Sequence, residues 1–459
     1  MAIDLKSPKQ AELPIQFVIV GGGLAGLACA IALRRVGHKV LVLEKNSNLD
    51  SATGGVRMPP NLSKILYHWG LKDELHKIAI KSMAIDLILF ETGELLGKHI
   101  WDDELFREAR GDFIFAHHAD VRQFLYDTAI SAGAKVRLGA VVSSIDPEAR
   151  TVSLDSGEVL NADVIVGADG QWGVSRGCMD VETPDASGLV MYSTTVPKQS
   201  LMDDPELADL WDESLTSMYS WFGNGHGVLA FPTGGQAELA LYVYAPANGE
   251  EPSWEDEPSS DALQSALQQC EPRLRKLARL AAPSHCVPVR NYSELEDWVH
   301  ESGHMVLIGQ AAHPIPPGSI QDCAMTIEDG AVLAKLFSHL RSEDQISSFL
   351  YAFEELRQPR CTAVITKEVG IIHYMTMPPC EMQEFRDQSM RAKRDAGLNA
   401  LQSTDDMAET QEWAEIKEVF GYDAEDEADN WWVEWGRLRL RAKGEDVTNF
   451  LDVKMTVSS

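Results

Sequence analysis

The sequence predicts a doubly wound α/β fold, in which apolar strands end in short turns that lead into helices. Three segments indicate it: a strand–turn–helix–strand unit over residues 15–44, an apolar strand that runs into Asp-Gly at 163–170, and another that runs into a small-residue turn at 306–314. In folds of this class the turns meet at one edge of the sheet, where ligands bind. The same pattern therefore predicts the architecture and the location of a site.

The first unit is the most regular. Residues 15–20 are a continuous apolar run that predicts a buried strand, and residues 24–36 are rich in Ala and Leu and predict a helix. Lys39–Leu43 is a second apolar strand, and Glu44 ends it. Residues 17–33 carry no charge, but they contain four glycines, so a strand, a turn and a helix explain them better than a membrane span or a leader segment.

The turn of this unit carries the fingerprint G-x-G-x-x-G as Gly21, Gly23 and Gly26, and Glu44 stands 18 residues after the last glycine. The first glycine makes the tight turn, the second lets the backbone approach a pyrophosphate, and the third lets the helix pack on the strand. The helix N-terminus then faces the phosphates, and the acid is placed to accept hydrogen bonds from a ribose. The unit predicts a dinucleotide site, which either NAD or FAD could occupy.

The composition disfavours several classes of function. The chain has 459 residues, enough for two or three domains, with 44% hydrophobic residues and a formal net charge of −30. A charge of that sign disfavours nucleic acid and anionic membranes as partners. The seven cysteines are never closer than 16 positions and show no zinc spacing, so we expect thiols, a reducing cytoplasmic location and no metal site.

The two later strand ends place polar residues at the same predicted edge. Asp169 and Gly170 follow one strand, and Gly309, Gln310 and His313 follow the other, before a helix that starts near residue 321. Taken singly, each is also compatible with an ordinary strand–loop turn.

Together these motifs resemble the class A FAD-dependent aromatic hydroxylases, nearest to the salicylate hydroxylase-like fungal members. The resemblance runs from about residue 15 to residue 422. It includes, in order, the glycine-rich turn, Gly54 and Gly55 through Asn61, the helix start at Ala119, the Gly-Ala-Asp-Gly run at 167–170 with Arg176, Phe231 and Pro232, the segment 309–329, Arg386 and Asp387, and residues 421–424. The ordered set is specific, although no single member of it is.

The resemblance implies a Rossmann-like FAD-binding domain in two pieces, 1–178 and 290–370. A β-rich substrate domain is inserted at 179–289, and a helical C-terminal region covers 371–459. It further implies that NADH or NADPH docks transiently and reduces FAD, and that O2 then forms a flavin C4a-hydroperoxide that hydroxylates a small phenol-like aromatic substrate, with decarboxylation where the ring carries a carboxylate. The protein supplies orientation, electrostatics and a dry pocket. We expect a monomer or a homodimer.

Site residues follow from the same resemblance. Arg57 and His226 are the catalytic candidates, and Arg57 faces either flavin or substrate. The residues that would hold the cofactor are Gly21, Gly23, Leu24, Ala25, Gly26, Glu44, Lys45, Arg57, His118, Val142, Asp169, Gly170, Gln310, Pro317, Asp322 and Cys323.

Five residues depart from the family pattern. Gln310 stands where Asp is usual, His118 where Arg is usual, Gly173 where Ser is common, Asp322 where Gly is usual, and Ser193 where relatives can hold a substrate acid with Arg. A carboxylate at residue 322 would compete with negative charge on reduced flavin, unless it caps the helix. The departures keep a second hypothesis open, a flavoprotein-fold enzyme that catalyses a cyclisation or rearrangement without hydroxylation, or a binding protein.

Other motifs have less specific interpretations. Residues 173–177 match the G-x-S-x-G nucleophile elbow of hydrolases, but the strand ends too early for it. His226 lies among glycines and is more typical of a turn, and His313 of a structural position. The tryptophans at 413, 431, 432 and 435 predict a helix packed on the body, or a partner interface.

The net negative charge is concentrated in two stretches of the chain. Residues 199–272 contain 14 acids and no Lys or Arg, and residues 401–435 contain 12 acids and one Lys. A substrate domain with few cations favours a neutral phenol or a larger lipophilic aromatic over salicylate, unless Arg57, Arg176 or Arg290 reaches the pocket.

Overall fold

The computed structural model describes residues 8–49, 54–179, 184–211, 216–235, 237–247, 252, 256–400, 411–436 and 438. Parts of both predicted acidic stretches, including 401–410, lie outside these residues.

All the strands among the described residues lie within the first 310 residues. In chain order they are β1 (Gln16–Val20), β2 (Lys39–Leu43), β3 (Gly55–Met58), β4 (Ala79–Lys81), β5 (Ala84–Leu89), β6 (Leu95–Ile100), β7 (Ile114–His117), β8 (Lys135–Arg137), β9 (Val142–Asp146), β10 (Thr151–Leu154), β11 (Val159–Asn161), β12 (Val164–Gly167), β13 (Asp185–Pro197), β14 (Ser217–Phe222), β15 (Gly227–Pro232), β16 (Glu238–Pro246), β17 (His285–Asn291) and β18 (Met305–Leu307).

Helices surround the sheets and form the C-terminal third. They are α1 (Leu24–Arg35), α2 (Pro60–His68), α3 (Lys72–Leu75), α4 (Asp103–Ala109), α5 (His118–Ser131), α6 (Lys198–Met202), α7 (Asp261–Ala266), α8 (Pro272–Leu280), α9 (Asp322–Phe337), α10 (Ile346–Met375), α11 (Glu381–Asp395), α12 (Gln411–Gly421) and α13 (Ala424–Trp431), with short 3₁₀ turns at Val174–Cys178, Ala208–Leu210, Gly309–Ala311 and Glu343–Gln345 and a π-helical turn at Trp432–Gly436.

The first sheet is the predicted dinucleotide-binding sheet. Its five strands run in the order β18-β12-β1-β2-β8, and all the pairs are parallel. Buried apolar residues fill the central strands because helices cover both faces of such a sheet. The C-terminal ends of β1, β12 and β18 therefore meet at one edge, which brings the turns after residues 20, 167 and 307 together. This is the predicted fold class.

The second sheet has seven strands, in the order β17-β13-β16-β15-β14-β5-β6. Strands β5 and β6 come from the N-terminal part of the chain, and β5 pairs with β14 in parallel, with Ser217 opposite Ala84. The predicted substrate domain at 179–289 therefore omits residues 84–100, and its strand β17 continues to Asn291. Neither β5 nor β6 is distinguishable in the sequence from a strand of the first domain, because strand pairing over this separation leaves no local signal.

The C-terminal helices pack across both sheets. Helix α10 contains 30 residues and crosses the predicted boundary at 370/371. Trp431 and Trp432 are buried, and Trp432 stacks on His339 with 4.1 Å between ring centroids, whereas Trp435 is exposed. Two of the four tryptophans thus pack on the body as one interpretation predicted; the side chain of Trp413 lies outside the described residues.

Glu425 connects α13 to the dinucleotide-binding domain. Its carboxylate pairs with His68, accepts from Trp69 Nε1 at 3.3 Å, and lies 3.9 Å from Arg35. Buried polar contacts of this kind fix the position of one element on another.

All seven cysteines are free thiols, and only Cys380 is exposed. Within the described part of the chain, no helix combines the length and the hydropathy that a bilayer crossing requires.

Candidate active site

Steric crowding explains the glycines of the first turn. A Cβ on Gly21 would lie 2.3 Å from the carbonyl oxygen of Ala168, and φ is +108° there, a backbone conformation that L-residues avoid. A Cβ on Gly26 would lie 2.0 Å from the carbonyl oxygen of Gly21, whereas a Cβ on Gly23 would meet nothing within 4 Å. Two glycines thus serve packing, and the third leaves an open approach to the backbone, which is what a pyrophosphate needs. Leu24 and Ala25 begin α1 beside it.

Glu44 ends β2 within a polar network. Its Oε2 accepts from the Gly22 N–H at 2.9 Å and lies 3.1 Å from Arg122 Nη2, and its Oε1 accepts from the Asn46 N–H at 2.9 Å. A carboxylate oxygen can accept more than one hydrogen bond, so Glu44 retains capacity for a ribose hydroxyl. Lys45, the next residue, is exposed.

Arg122 is a site residue that the sequence reasoning missed. It extends from α5, donates from Nε to the Gly22 carbonyl at 3.2 Å, and is buried. It places a cation beside the glycine turn, where the family usually has Arg in place of His118. The available signal was spacing: Arg122 follows His118 by four positions, so both lie on one face of the same helix.

Two polar side chains near this turn have buried atoms without partners. Among the described residues, neither His118 Nδ1 nor Asp169 Oδ1 has a hydrogen-bond partner. Burial, together with Arg122 and His117, lowers the pKa of His118 to about 4. Burial raises the pKa of Asp169, although its other oxygen accepts from the Ser175 N–H at 3.0 Å. Gly170, with φ of +81°, leaves open space beside Asp169, and Val142 begins β9.

At the other end of the predicted site, Gln310 and Asp322 bond to each other. Gln310 Nε2 donates to Asp322 Oδ1 at 2.7 Å, and Gln310 Oε1 accepts from the Ile315 N–H at 3.1 Å. Asp322 is the first residue of α9, and the residue that caps the helix by position, Gln321, makes no capping side-chain bond. The interpretation of Asp322 as a helix cap is therefore wrong; its carboxylate holds the amide of the other departing residue.

Glu368 binds the two residues that precede α9. Its two oxygens accept from the N–H groups of Ile320 and Gln321 at 2.9 and 3.2 Å. Burial raises the pKa of Glu368, and burial also raises that of Asp322. Two carboxyl groups thus lie where the family places a helix terminus that stabilises negative charge on reduced flavin. Cys323 follows Asp322 and is buried, which raises the pKa of its thiol.

Asp329 fixes the turn after β18. Its Oδ2 accepts from the Gly309 N–H at 2.7 Å and lies 2.6 Å from His313 Nε2, and its Oδ1 lies 2.8 Å from Arg357 Nε. The three side chains are buried. His313 therefore has the structural position that the sequence favoured. His313, Asp329 and Cys361 could also hold a metal ion by distance, but the Arg357 guanidinium already supplies the positive charge.

Arg57 lies where the two sheets meet. It is 5% exposed, and Nη2 donates to the carbonyl of Gly318, which joins β3 to the loop that precedes α9. Its guanidinium carbon lies 5.8 Å from the centroid of the Phe231 ring. Phe231 packs on Phe115 at 5.0 Å and on Tyr242 at 5.6 Å between ring centroids. We call Arg57, Phe115, Met218, Phe231 and Tyr242 the Arg57 cluster.

Two tyrosines of the second sheet donate hydrogen bonds to backbone carbonyls of the cofactor domain. Tyr242 donates to the Gly55 carbonyl, and Tyr244 donates to the Pro317 carbonyl at 2.8 Å. Burial raises the pKa of both hydroxyls well above the usual range, so both stay neutral. Ser193, the departing residue of β13, is buried against Gly54, where a Cβ would lie 2.5 Å from its Oγ.

Two candidates are not brought to this site. His226 lies in the turn between β14 and β15, stacks on Phe90 at 5.1 Å and bonds to the carbonyl of Asn224 at 2.9 Å. It is five residues from Phe231 along an extended strand, roughly 16 Å. Ser175 is buried in the 3₁₀ turn seven residues beyond the end of β12, where its N–H binds Asp169, an environment unlike a nucleophile elbow.

A surface cleft of about 370 Å³ lies at the His226 end of the second sheet. It is lined by Phe222 from β14, by Asn224 from the turn that follows, and by Arg386 and Asp387 from α11. Arg386 pairs with Asp387 at 2.8 Å and lies over the Phe222 ring, so this predicted motif holds α11 on the sheet.

These contacts fit FAD. One edge of the sheet is surrounded by features that an adenine dinucleotide requires. They are the open space at Gly23, the remaining acceptor capacity of Glu44, the cation Arg122, and the unpartnered atoms of His118 and Asp169.

Comparison with known proteins agrees. A family profile described as "FAD binding domain" matches residues 15–368. FAD-dependent monooxygenase OpS4 of Beauveria bassiana is 29% identical over 382 residues, which covers 82% of this chain and 89% of that protein. 3-Hydroxybenzoate 6-hydroxylase of Klebsiella oxytoca is 25% identical over 363 residues, which covers 78% and 88%.

A solved structure shows the same fold. The structure of CtdE in complex with FAD and substrate 4 superposes with a TM-score of 0.76 at 20% identity, and the match covers 93% of this chain and 99% of that chain. The profile spans well over half of the chain, and the sequence relatives are FAD-dependent monooxygenases and hydroxylases. The chain therefore belongs to the FAD-binding family of class A flavoprotein monooxygenases and hydroxylases, and its cofactor is FAD.

Proposed function

We propose that the protein hydroxylates a phenol-like aromatic substrate with O2, using NADH or NADPH as reductant. The observation that carries the proposal is the Arg57 cluster, which packs buried aromatic side chains from β7, β15 and β16 beside Arg57. Arg57 donates to the Gly318 carbonyl in the loop before α9. Apolar surroundings built from aromatic rings suit a flat ring and exclude water.

Each part of the chain has a separate task in this proposal. Gly23, Glu44 and Arg122 hold the adenine end of FAD, and Gln310, Pro317 and Asp322 border its flavin end. Bound FAD, once reduced, supplies the activation of oxygen. Phe115 and Phe231 exclude water and stack on the substrate ring, and the neutral hydroxyls of Tyr242 and Tyr244 keep the second sheet in place on the cofactor domain. We assign no role in the reaction to His226, because it lies at the far end of β15.

One observation favours a second function, a flavoprotein reaction without hydroxylation such as a cyclisation or rearrangement. The carboxyl groups of Asp322 and Glu368 lie at the N-terminus of α9. Negative charge there disfavours anionic reduced flavin, which hydroxylation requires. Asp322 is bonded to Gln310, and Glu368 to two backbone N–H groups, so both carboxyl groups have partners within the chain. We retain hydroxylation as the main proposal because the sequence relatives are named monooxygenases and hydroxylases.

The test is spectroscopic. The purified protein, reconstituted with FAD, is mixed anaerobically with NADH or with NADPH, alone and with a panel of phenols, benzoates and indoles, and the visible flavin absorbance is followed. We expect one reductant to bleach the flavin faster when an aromatic compound is present, and we expect a hydroxylated product after O2 is admitted. Aromatic turnover without reductant would favour the second function, and a protein that retains no FAD would contradict both.

The same proposal includes a cytoplasmic location, in agreement with seven free thiols, and a monomer or homodimer.

A further inference from the structure

We propose that the surface cleft beside α11 is the entrance through which the aromatic substrate reaches the Arg57 cluster, and that the side chain of Met375 fills the passage between them. This inference rests on the proposed function, because it takes the Arg57 cluster as the place where the substrate ring binds. It gives a role to the cleft, which the proposed reaction otherwise leaves unused.

One face of β14 connects the Arg57 cluster to the cleft. Successive side chains of a strand point to opposite faces, so Met218, Ser220 and Phe222 share one face. Met218 belongs to the Arg57 cluster, where its sulfur lies 3.7 Å from Arg57 Nη1, and Phe222 lines the cleft. Four residues of extended strand separate the two side chains, roughly 13 Å. The cleft and the cluster are therefore the two ends of one short passage.

Strand β15 supplies the second side of this passage. Its register pairs Leu229 with Ser220 and Gly227 with Phe222. Gly227 carries no side chain, and a Cβ there would lie 3.2 Å from Met375 Cε. The space beside Phe222 is thus filled from α10 by Met375 rather than by a residue of the sheet.

Met375 is the last residue of α10, and it stands between the cleft and Ser220. Its carbonyl accepts from the N–H of Gly223, which lines the cleft, at 3.2 Å. Its sulfur accepts from Ser220 Oγ at 3.3 Å, and the residue is buried. The backbone of Met375 is therefore held at the cleft, whereas its side chain reaches inward and has three rotatable bonds. Rotation of these bonds would open the passage without movement of the helix.

The two faces of β14 differ in a way that supports a passage. On the opposite face Trp221 is fully buried, and its Nε1 donates to Glu271 Oε1 at 2.8 Å, which fixes that side chain. On the inner face Ser220 places a buried hydroxyl beside Met375, whose sulfur is a weak acceptor. A buried polar group with a weak partner costs stability. The hydroxyl of a passing phenol would be a stronger partner.

The cleft itself suits a flat ring with a polar substituent. Leu89, Phe222 and Met377 contribute apolar surface, and Asn224 and Gln383 contribute amides. The volume of about 370 Å³ lies within the range of small-molecule sites. The cleft therefore fits the phenol-like class of compound that the proposed function names.

The experiment measures how fast an aromatic thiol reagent reaches the passage. The FAD-loaded protein with Ser220→Cys is treated with benzyl methanethiosulfonate, and modification of each cysteine is followed by peptide mass spectrometry. Exposed Cys380 reports the reactivity of the reagent, and fully buried Cys29 reports global unfolding. The measurement is repeated with Met375→Ile, which fills similar space with a stiffer side chain, and with Met375→Ala. The control is Met390→Ile, on α11 in the same hydrophobic core.

We expect the thiol at position 220 to react at least about tenfold faster than Cys29, because a local opening needs less free energy than global unfolding. Met375→Ile should slow this reaction, Met375→Ala should accelerate it, and Met390→Ile should leave it unchanged. The aromatic compound that most accelerates flavin bleaching should associate with the Met375 variants in the same order of rates. Stopped-flow mixing measures this association from the change in the flavin spectrum.

A thiol at position 220 that reacts no faster than Cys29 would overturn the inference. So would a reaction rate, or an association rate for the aromatic compound, that is the same whatever side chain stands at position 375. Failure of the proposed function appears differently, as a protein that loses FAD or forms no hydroxylated product, because labelling at position 220 depends on neither reductant nor O2.

Discussion

The two ends of the proposed FAD site are built on different principles. At the adenine end, Gly21 and Gly26 are required by backbone contacts of 2.3 and 2.0 Å, and the residues match the family pattern. At the flavin end, Gln310 and Asp322 both depart from the pattern, and they bond to each other at 2.7 Å. Gly21 and Gly26 tolerate no side chain, whereas Gln310 and Asp322 are two changes that bond to each other. Departures from a family pattern are therefore best judged in pairs, once their contacts are known.

The largest effect should come from crowding at the adenine end. We expect Gly21→Ala to destabilise the protein by more than about 3 kcal/mol, because the new Cβ would overlap the Ala168 carbonyl and φ is +108°. Thermal unfolding of the apoprotein measures this change. Gly23→Ala is the matched control: it should unfold like the wild type but bind FAD at least tenfold more weakly. If both variants unfolded alike, the steric account of the turn would be wrong.

The next effect concerns the missed residue, Arg122. Arg122→Gln should lower the free energy of unfolding by about 2–3 kcal/mol, because it leaves buried Glu44 without its ion pair. It should also weaken FAD binding, measured from the release of flavin fluorescence. The double variant Glu44→Gln/Arg122→Gln should regain part of the stability, since it leaves no unpaired charge. Simple additivity of the two single changes would contradict coupling between them.

At the flavin end we expect an electronic effect with little loss of stability. Asp322→Asn should raise the reduction potential of bound FAD by about 30 mV, because it removes a carboxylate beside the N-terminus of α9. Burial raises the pKa of Asp322, so wild type and variant should converge at low pH, where the acid is protonated, and diverge as pH rises. The control is Glu381→Gln, in the first turn of α11. A potential unchanged at every pH would place Asp322 away from the flavin.

The smallest effect concerns His118, whose pKa is about 4. A depressed histidine pKa means that the unfolded chain binds the proton more readily, so His118 costs stability as pH falls from about 6.5 towards 4. Urea unfolding of the apoprotein over this range should show a shallower pH dependence for His118→Gln than for the wild type. Parallel curves would show that His118 is not buried in its neutral form.

Sequence reasoning predicted the glycine turn and four of the five strands of the first sheet, all but β8, because strand, turn and helix signals there are local. It missed Arg122, Glu368 and Asp329, because each acts on a backbone group far away in sequence: Arg122 on a carbonyl 100 positions away, and Glu368 on an N–H 47 positions away. The assignment of β5 and β6 to the second sheet depends on the same kind of long-range pairing. Arg57 was a candidate from its position after a glycine pair, but only the structure shows its contacts with Gly318 and Phe231.

The most direct test of the proposed function is isotopic. The aromatic compound that most accelerates flavin bleaching is turned over under ¹⁸O2 with the preferred reductant, and the product is analysed by mass spectrometry. We predict a product that carries one ¹⁸O atom, with the second atom of each O2 released as water. A product formed at the same rate without ¹⁸O would contradict hydroxylation and would favour the alternative flavoprotein reaction.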